Sequence, residues 1–430
     1  MTHSNNINPA LKELSAQYYK RDIGVMFANR IKDGQLTDEE CVTFAVKEKL
    51  PLDQISSEDV LPSFVIVDNK YYPTDVIVLS NASTLNCPTQ CIAWQTTPPG
   101  NRNTVRPLKG GVSIGAKNNI VSPTECKKGT LGFIAVDRAS QALVGVTAGH
   151  VVVKNQFMTM NQDLTKIAQN EKDNYVYQNG ETCTANPALQ IGQVIRYVPL
   201  YVPAVPTVNP NYFNFSIFNR VDGALISLKE SDVSNTESFK QYGVDYNLPL
   251  PFATSPEIYS LNQSIPLYMS GRTTGAAEGD CNLYYYTLYN DQILVNGYDL
   301  QGADSGSLFS SVIIFLGKYV GCSAAEPGDS GAALVADFNG VRKIVGLVFG
   351  QAVINNGTPV GLACRIDWVA EQLGIQAWDG TPKNFINELT IKYTTVPGKS
   401  YDSVIKKNNK IYWQVGLSSL STTTTTTTII

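Results

Sequence analysis

At 430 residues the chain exceeds the roughly 250–300 at which single cores stop growing, so more than one structural unit is expected. Its 43% apolar and 16% charged residues exclude a largely disordered protein, and a formal net charge of -4 over that length excludes the basic footprint of a nucleic-acid or anionic-membrane binder. Frequent Gly, Pro, Tyr, Thr and Asn around short apolar runs predict a mainly β chain with many loops. No window approaches the roughly 20 apolar residues that span a bilayer. The opening Met1-Thr2-His3-Ser4-Asn5-Asn6 is polar where a signal peptide is charged and then apolar, so a cytoplasmic or virion-associated location is expected, without a choice between them. Of eight cysteines only Cys87 and Cys91 are close, which predicts free thiols or one local disulfide rather than a metal site.

In chain order, residues 1–86 read as a small α+β domain. Asn8 as N-cap, Pro9 at the first helical position and Leu11, Leu14 and Tyr18 on one face predict a helix. Strands follow at Ile23–Ala28, Cys41–Val46, Phe64–Val67 and Asp75–Leu79, with turn chemistry at Lys32-Asp33-Gly34 and a loop with a helical turn from Leu50 to Pro62. Residues 87–104, rich in Pro, Thr, Asn and Gly without periodicity, read as a linker. Many short strands to about residue 365 imply barrels or a sandwich, interrupted by a loop-like insertion from about 155 to 219. A helix over 367–374, ended by Gly374, closes the domain through Trp368, Val369 and Leu373, and residues 379–430 form an extension with one strand, Lys410–Gly416, and a threonine-rich tail.

Three segments carry chemistry. Pro327-Gly328-Asp329-Ser330-Gly331 sets a serine in a tight glycine-flanked turn before an apolar strand, where the N–H groups of Gly328 and Ser330 suit an oxyanion hole. Read alone, it is as easily an ordinary turn. A serine nucleophile needs a base, and the chain has two histidines: His3 at the terminus and His150 in Thr147-Ala148-Gly149-His150, after the strand Leu143–Val146. Asp222, in Val221-Asp222-Gly223-Ala224-Leu225-Ile226, is the candidate acid that orients the imidazole.

These three blocks resemble those of the trypsin-like (chymotrypsin-fold) serine peptidases. Ser270-Gly271-Arg272-Thr273-Thr274-Gly275 is similar to a strand opening the second barrel in bacterial members, and Gly346-Leu347-Val348-Phe349-Gly350 to the strand lining the substrate cleft. Arg106-Pro107-Leu108-Lys109-Gly110-Gly111 and Gly129-Thr130-Leu131-Gly132-Phe133 resemble the entry to the first barrel in a plant and bacterial branch with a small N-terminal domain. The resemblance implies a double antiparallel β-barrel over residues 105–378, the first barrel at about 105–230 and the second at about 258–366. It implies a serine endopeptidase acting on protein or peptide through an acyl-enzyme on Ser330, with no metal or cofactor. Val348, Phe349 and Gly350 would wall the specificity pocket, and Ala324, six residues before Ser330, would form its base. Alanine there, with no spare histidine for an acidic side chain, implies a neutral or apolar preference.

Gly302-Ala303-Asp304-Ser305-Gly306 repeats the Asp-Ser-Gly core, but alanine stands where the oxyanion loop must turn, so Ser305 is read as a hairpin residue. The resemblance implies a new N-terminus pairing with the aspartate before the serine, as in many trypsin-like zymogens, but Asp329 lies far downstream of an extra domain, so an internal cation, Arg272, is the expected counter-charge. The alternative is a structural or assembly protein, such as a virion component with an inactive or self-processing trypsin-like domain, which meets a partner or its own copies through the N-terminal domain or the threonine tail.

Overall fold

In the computed structural model, strands form where β-branched and aromatic runs lie between turn residues. The structure describes residues 14, 18, 23–32, 35–46, 48–67, 69–84, 100–122, 125–153, 157–158, 174–178, 186–198, 200–201, 219–243, 248–261, 265–276, 284–288, 293–296, 306–309, 312–316, 325–354 and 358–386. Leu14 and Tyr18 are helical, whereas Asn8, Pro9, Leu11, Cys87, Cys91, Ser305, Ala324, the Lys410–Gly416 strand and the threonine run lie outside the described residues.

The chain is mainly β, with two large curled sheets. The first runs in the order Ile375–Ala377, Phe133–Asp137, Leu143–Thr147, Ala224–Ser227, Gln190–Tyr197, Tyr175–Gln178, Val112–Ser122, Glu125–Leu131. Only Gly132 separates Glu125–Leu131, at one end of that order, from Phe133–Asp137 near the other. The chain itself therefore rounds the corner and curls the sheet into a barrel, with the Gly132 N–H donating to the Val146 carbonyl at 2.8 Å. Every residue of Phe133–Asp137 and Leu143–Thr147 is buried, as central strands covered on both faces must be.

Two of these strands, Tyr175–Gln178 and Gln190–Tyr197, fall inside the segment expected to be a loop-like insertion. The surrounding Asn, Gln and Pro hid a short apolar run, Ile191 to Tyr197, that tertiary pairing recruits. Gly192 permits it, since a Cβ there would overlap the Ser227 carbonyl of the facing segment.

The second sheet contains a closed circuit. Val341–Ile354 pairs with Thr358–Arg365, which pairs with Val312–Leu316, and that strand with Tyr284–Leu288. Tyr284–Leu288 pairs with Gly24–Lys32, which pairs with Gln35–Val46; this joins Lys70–Thr84, which returns to Val341–Ile354. A closed circuit leaves no free edge along those strands. Strands on either side of residue 86 are thus hydrogen-bonded to one another, although the N-terminal segment keeps a small core of its own around Tyr18, Val25, Phe44 and Val67. Within the N-terminal segment, Gln35–Val46 and Lys70–Thr84 pair in parallel. A parallel neighbour requires a crossover, and the segment with the 3-10 turn Leu52–Gln54 and the hairpin strand Phe64–Val67 supplies it.

Local chemistry sets the turns that matter. Asn339 and Gly340, with φ of 56° and 86°, join Ala333–Phe338 to Val341–Ile354 as the Asn-Gly hairpin signal predicts. Helix Ile366–Gln372 docks through buried Ile366, Val369 and Ala370, and Gly374 follows it with φ of 66°. Ile366 and Val369 each contribute about 1.5–3 kcal/mol by leaving water. Buried residues of both sheets form one continuous cluster.

Candidate active site

Ala224 pairs with Thr147 in the antiparallel ladder between Ala224–Ser227 and Leu143–Thr147. Asp222 lies two residues before one strand and His150 three residues after the other, so the register carries both past the same end. The short helix Gly149–Val152 then turns His150 inward. Asp222 is fully buried and both its oxygens serve His150: Oδ1 accepts from the backbone N–H at 3.1 Å, and Oδ2 lies 2.5 Å from Nδ1. With the Nδ1 proton held on the carboxylate, Nε2 carries the free lone pair, a tautomer assigned from this network. The Asp222 N–H donates to Cys364 Sγ at 3.2 Å; burial first, and then the Asp222 charge, push that thiol well above its usual range, so it stays protonated.

Ser330 sits at the edge of the second sheet in a turn built by glycine. Gly328 and Gly331 have φ of 102° and 94°, and a Cβ on Gly328 would lie 2.7 Å from Arg272 Nη1 and Thr273 Oγ1. First-sheet strand Glu125–Leu131 grips the turn, since Thr130 Oγ1 donates to the Gly328 carbonyl and the Thr130 N–H to the Ser330 carbonyl, both at 2.8 Å. Gly129 is the spacer between the two halves, because its Cβ would meet the Val151 side chain and lie 2.8 Å from the Ser330 carbonyl. The turn thereby rests against the helix that carries His150. Ser330 is 2% exposed and its hydroxyl donates to the Phe349 carbonyl at 3.4 Å. Among the described residues, neither the Gly328 N–H nor the Ser330 N–H donates a backbone hydrogen bond.

Asp329 is fully buried and three backbone groups donate to it, Thr273 N–H at 2.7 Å and Thr274 N–H at 3.1 Å to Oδ1 and Glu326 N–H at 2.8 Å to Oδ2, with the Thr274 side chain adding a further hydrogen bond. Burial still raises its pKa against those bonds. The expected role of Arg272 changes accordingly. Its Nε donates to Ser113 Oγ at 3.1 Å and its Nη1 reaches Thr273 Oγ1 at 3.4 Å, so it braces the turn's surroundings.

Of the expected pocket residues, Val348, Phe349 and Gly350 lie buried on strand Val341–Ile354. The Phe349 ring stacks on Phe309 with centroids 4.6 Å apart, leaving its carbonyl as the group that faces Ser330. Gly306, after Ser305, opens strand Gly306–Phe309, which pairs antiparallel with Ile293–Asn296.

No family model and no curated protein matches the chain. Among solved structures, a glutamic acid specific serine protease that uses a histidine triad in substrate binding aligns over 63% of this chain and 100% of its own, at 13% identity and a TM-score of 0.35. Thermobifida fusca protease A aligns over 63% and 98% at 12% identity and a TM-score of 0.32. Cellulomonas bogoriensis chymotrypsin aligns over the same shares at 12% identity and a TM-score of 0.31. No helix among the described residues is long and apolar enough to cross a membrane.

Sequence reasoning missed Cys364 altogether. An isolated cysteine in an apolar strand carries no signal of its contact with Asp222, which depends on Thr358–Arg365 reaching the first sheet. Gly129 and Thr130 stood within a segment noted for resemblance, but their grip on the Ser330 turn spans about two hundred residues of chain and is a purely tertiary fact.

Proposed function

We propose that the chain is a serine endopeptidase in which Ser330 is the nucleophile, His150 the general base and Asp222 the acid that orients it. One observation carries this reading: a fully buried carboxylate gives both oxygens to a single histidine, beside a serine in a glycine-bracketed turn. Ser330 Oγ attacks a peptide carbonyl while Nε2 takes its proton and passes it to the leaving amine; water then releases the acyl group by the reverse roles. The 3.4 Å bond to the Phe349 carbonyl is long, and a rotation about χ1 turns the hydroxyl toward the imidazole when a substrate arrives. The unengaged N–H groups of Gly328 and Ser330 are the candidate donors for the developing oxyanion, a contribution of about 10²–10³-fold per donor.

Labelling with a fluorophosphonate probe tests the assignment. The parent and Ser305→Ala are expected to label and Ser330→Ala to remain unlabelled. A folded parent that does not label would refute the activated serine, and loss of labelling in Ser305→Ala alone would move the nucleophile.

A further inference from the structure

Strand Val341–Ile354 changes neighbours along its length. One flank is covered by Thr358–Arg365 from Gly346 to Ile354, and the other by Ala333–Phe338 only as far as Leu347, which faces Ala333. Val348 still exchanges hydrogen bonds there, its N–H with the Ala332 carbonyl at 2.9 Å and its carbonyl with the Gly331 N–H at 2.7 Å, and beyond Val348 the second flank has lost that partner, because the chain there has turned away into the Ser330 loop. An extended peptide adding to this stretch as a strand would satisfy its N–H and C=O groups and lie beside Ser330.

That stretch is already filled by the chain itself. Strand Lys70–Thr84 runs antiparallel along it, with Thr84 opposite Gly350, Ser83 opposite Gln351, Ser80 opposite Val353 and Leu79 opposite Ile354. The direction is the informative part. From Leu79 to Thr84 the chain advances from Ile354 toward Gly350, and so toward Phe349, whose carbonyl takes the Ser330 hydroxyl. An acyl group reaches a nucleophile at the C-terminal end of its peptide, so this is the polarity that the acyl half of a substrate must have.

Two features mark the segment as a replaceable occupant. The strand-forming run Val76-Ile77-Val78-Leu79 gives way to small, polar Ser80-Asn81-Ala82-Ser83-Thr84 where it meets this flank. The register also breaks between Gln351 and Val353, leaving a bulge that shortens the ladder. Ile293–Asn296 backs it on the far side through the parallel pairing of Asn296 with Ser83.

Resting on the peptidase reading above, we propose that Leu79–Thr84 occupies the acyl-side substrate subsites from within the chain. The site takes an extended peptide in antiparallel pairing with Gly350–Ile354, and an external substrate must displace the chain's own strand. A tethered competitor at an effective concentration on the order of millimolar weakens an external peptide of micromolar affinity by tenfold or more.

The experiment uses the full chain with Ser330→Ala, so that binding is read without turnover. Its ligand is a fluorescein-labelled peptide of residues 79–86, Leu-Ser-Asn-Ala-Ser-Thr-Leu-Asn, followed by anisotropy. Adding Ser80→Pro and Ser83→Pro, which remove N–H donors from the resident strand, is expected to tighten binding at least about tenfold. Where the prolines prevent folding, glycine at Ser80, Ser83 and Thr84 keeps every backbone group and is expected to tighten it by about threefold. Equal affinity with and without the substitutions in folded protein, or no binding to either, overturns the proposal. Fluorophosphonate labelling of the Ser330-containing parent reports the triad separately: an unlabelled parent refutes the peptidase reading, and equal peptide affinities refute the strand occupancy.

Discussion

Asp222→Asn is the most informative single change, because it is nearly isosteric and leaves the burial of the site intact. In the parent, one carboxylate oxygen accepts the His150 backbone N–H and the other faces Nδ1 at 2.5 Å. An asparagine can keep the first bond with its carbonyl oxygen, but its NH₂ then faces Nδ1. Nδ1 must accept, the ring proton moves to Nε2, and the nitrogen proposed as the base for Ser330 can no longer take a proton. The imidazolium formed during attack also loses its counter-charge. Together these predict a fall in turnover of about 10⁴-fold, which is about 5.5 kcal/mol of barrier. The rate of fluorophosphonate labelling at neutral pH measures it, with thermal unfolding as the control that the variant is folded. A folded Asp222→Asn protein that labels as fast as the parent would refute the base assignment.

Two further outcomes follow from the packing. Gly129→Ala puts a methyl group against Val151 and the Ser330 carbonyl, and should cost about 1–3 kcal/mol of stability while slowing labelling, since it pushes the His150 helix from the Ser330 turn; an unchanged labelling rate would show that the spacing does not matter. Asp137, bonded to Arg196 at 2.7 Å and to Ser140, keeps a lowered pKa because these partners outweigh its burial. A carboxyl depressed in the folded state stabilises the fold above its unfolded pKa of about 3.9, and that contribution disappears as pH falls through the folded value. Asp137→Asn should therefore cost about 3–5 kcal/mol at neutral pH and flatten the acid limb of a denaturant titration; an acid limb as steep as the parent's would contradict this.

Much of the fold was legible in local sequence. The strands Phe64–Val67 and Leu143–Thr147, the Asn339-Gly340 hairpin and the helix ended by Gly374 follow from apolar runs and turn chemistry that act over a few residues. Gln190–Tyr197 was not, because its apolar residues are diluted by glutamine, glycine and arginine and become a strand only between Tyr175–Gln178 and Ala224–Ser227. The counter-charge of Asp329 was also misread. A cation is the simplest partner to name from sequence, whereas three backbone N–H groups converging on a carboxylate leave no trace in residue type.

By itself the sequence determined a mainly β chain and singled out His150, Asp222 and Ser330 as candidates, since residue types and their immediate neighbours restrict which groups can ionise, turn or donate. Tertiary structure alone decided that both Asp222 oxygens meet His150, that Thr130 and Gly129 hold the Ser330 turn against its helix, and that Leu79–Thr84 lies along the strand beside Ser330. Those facts depend on strand register and sheet closure, which join residues tens to hundreds of positions apart and are written in no local pattern.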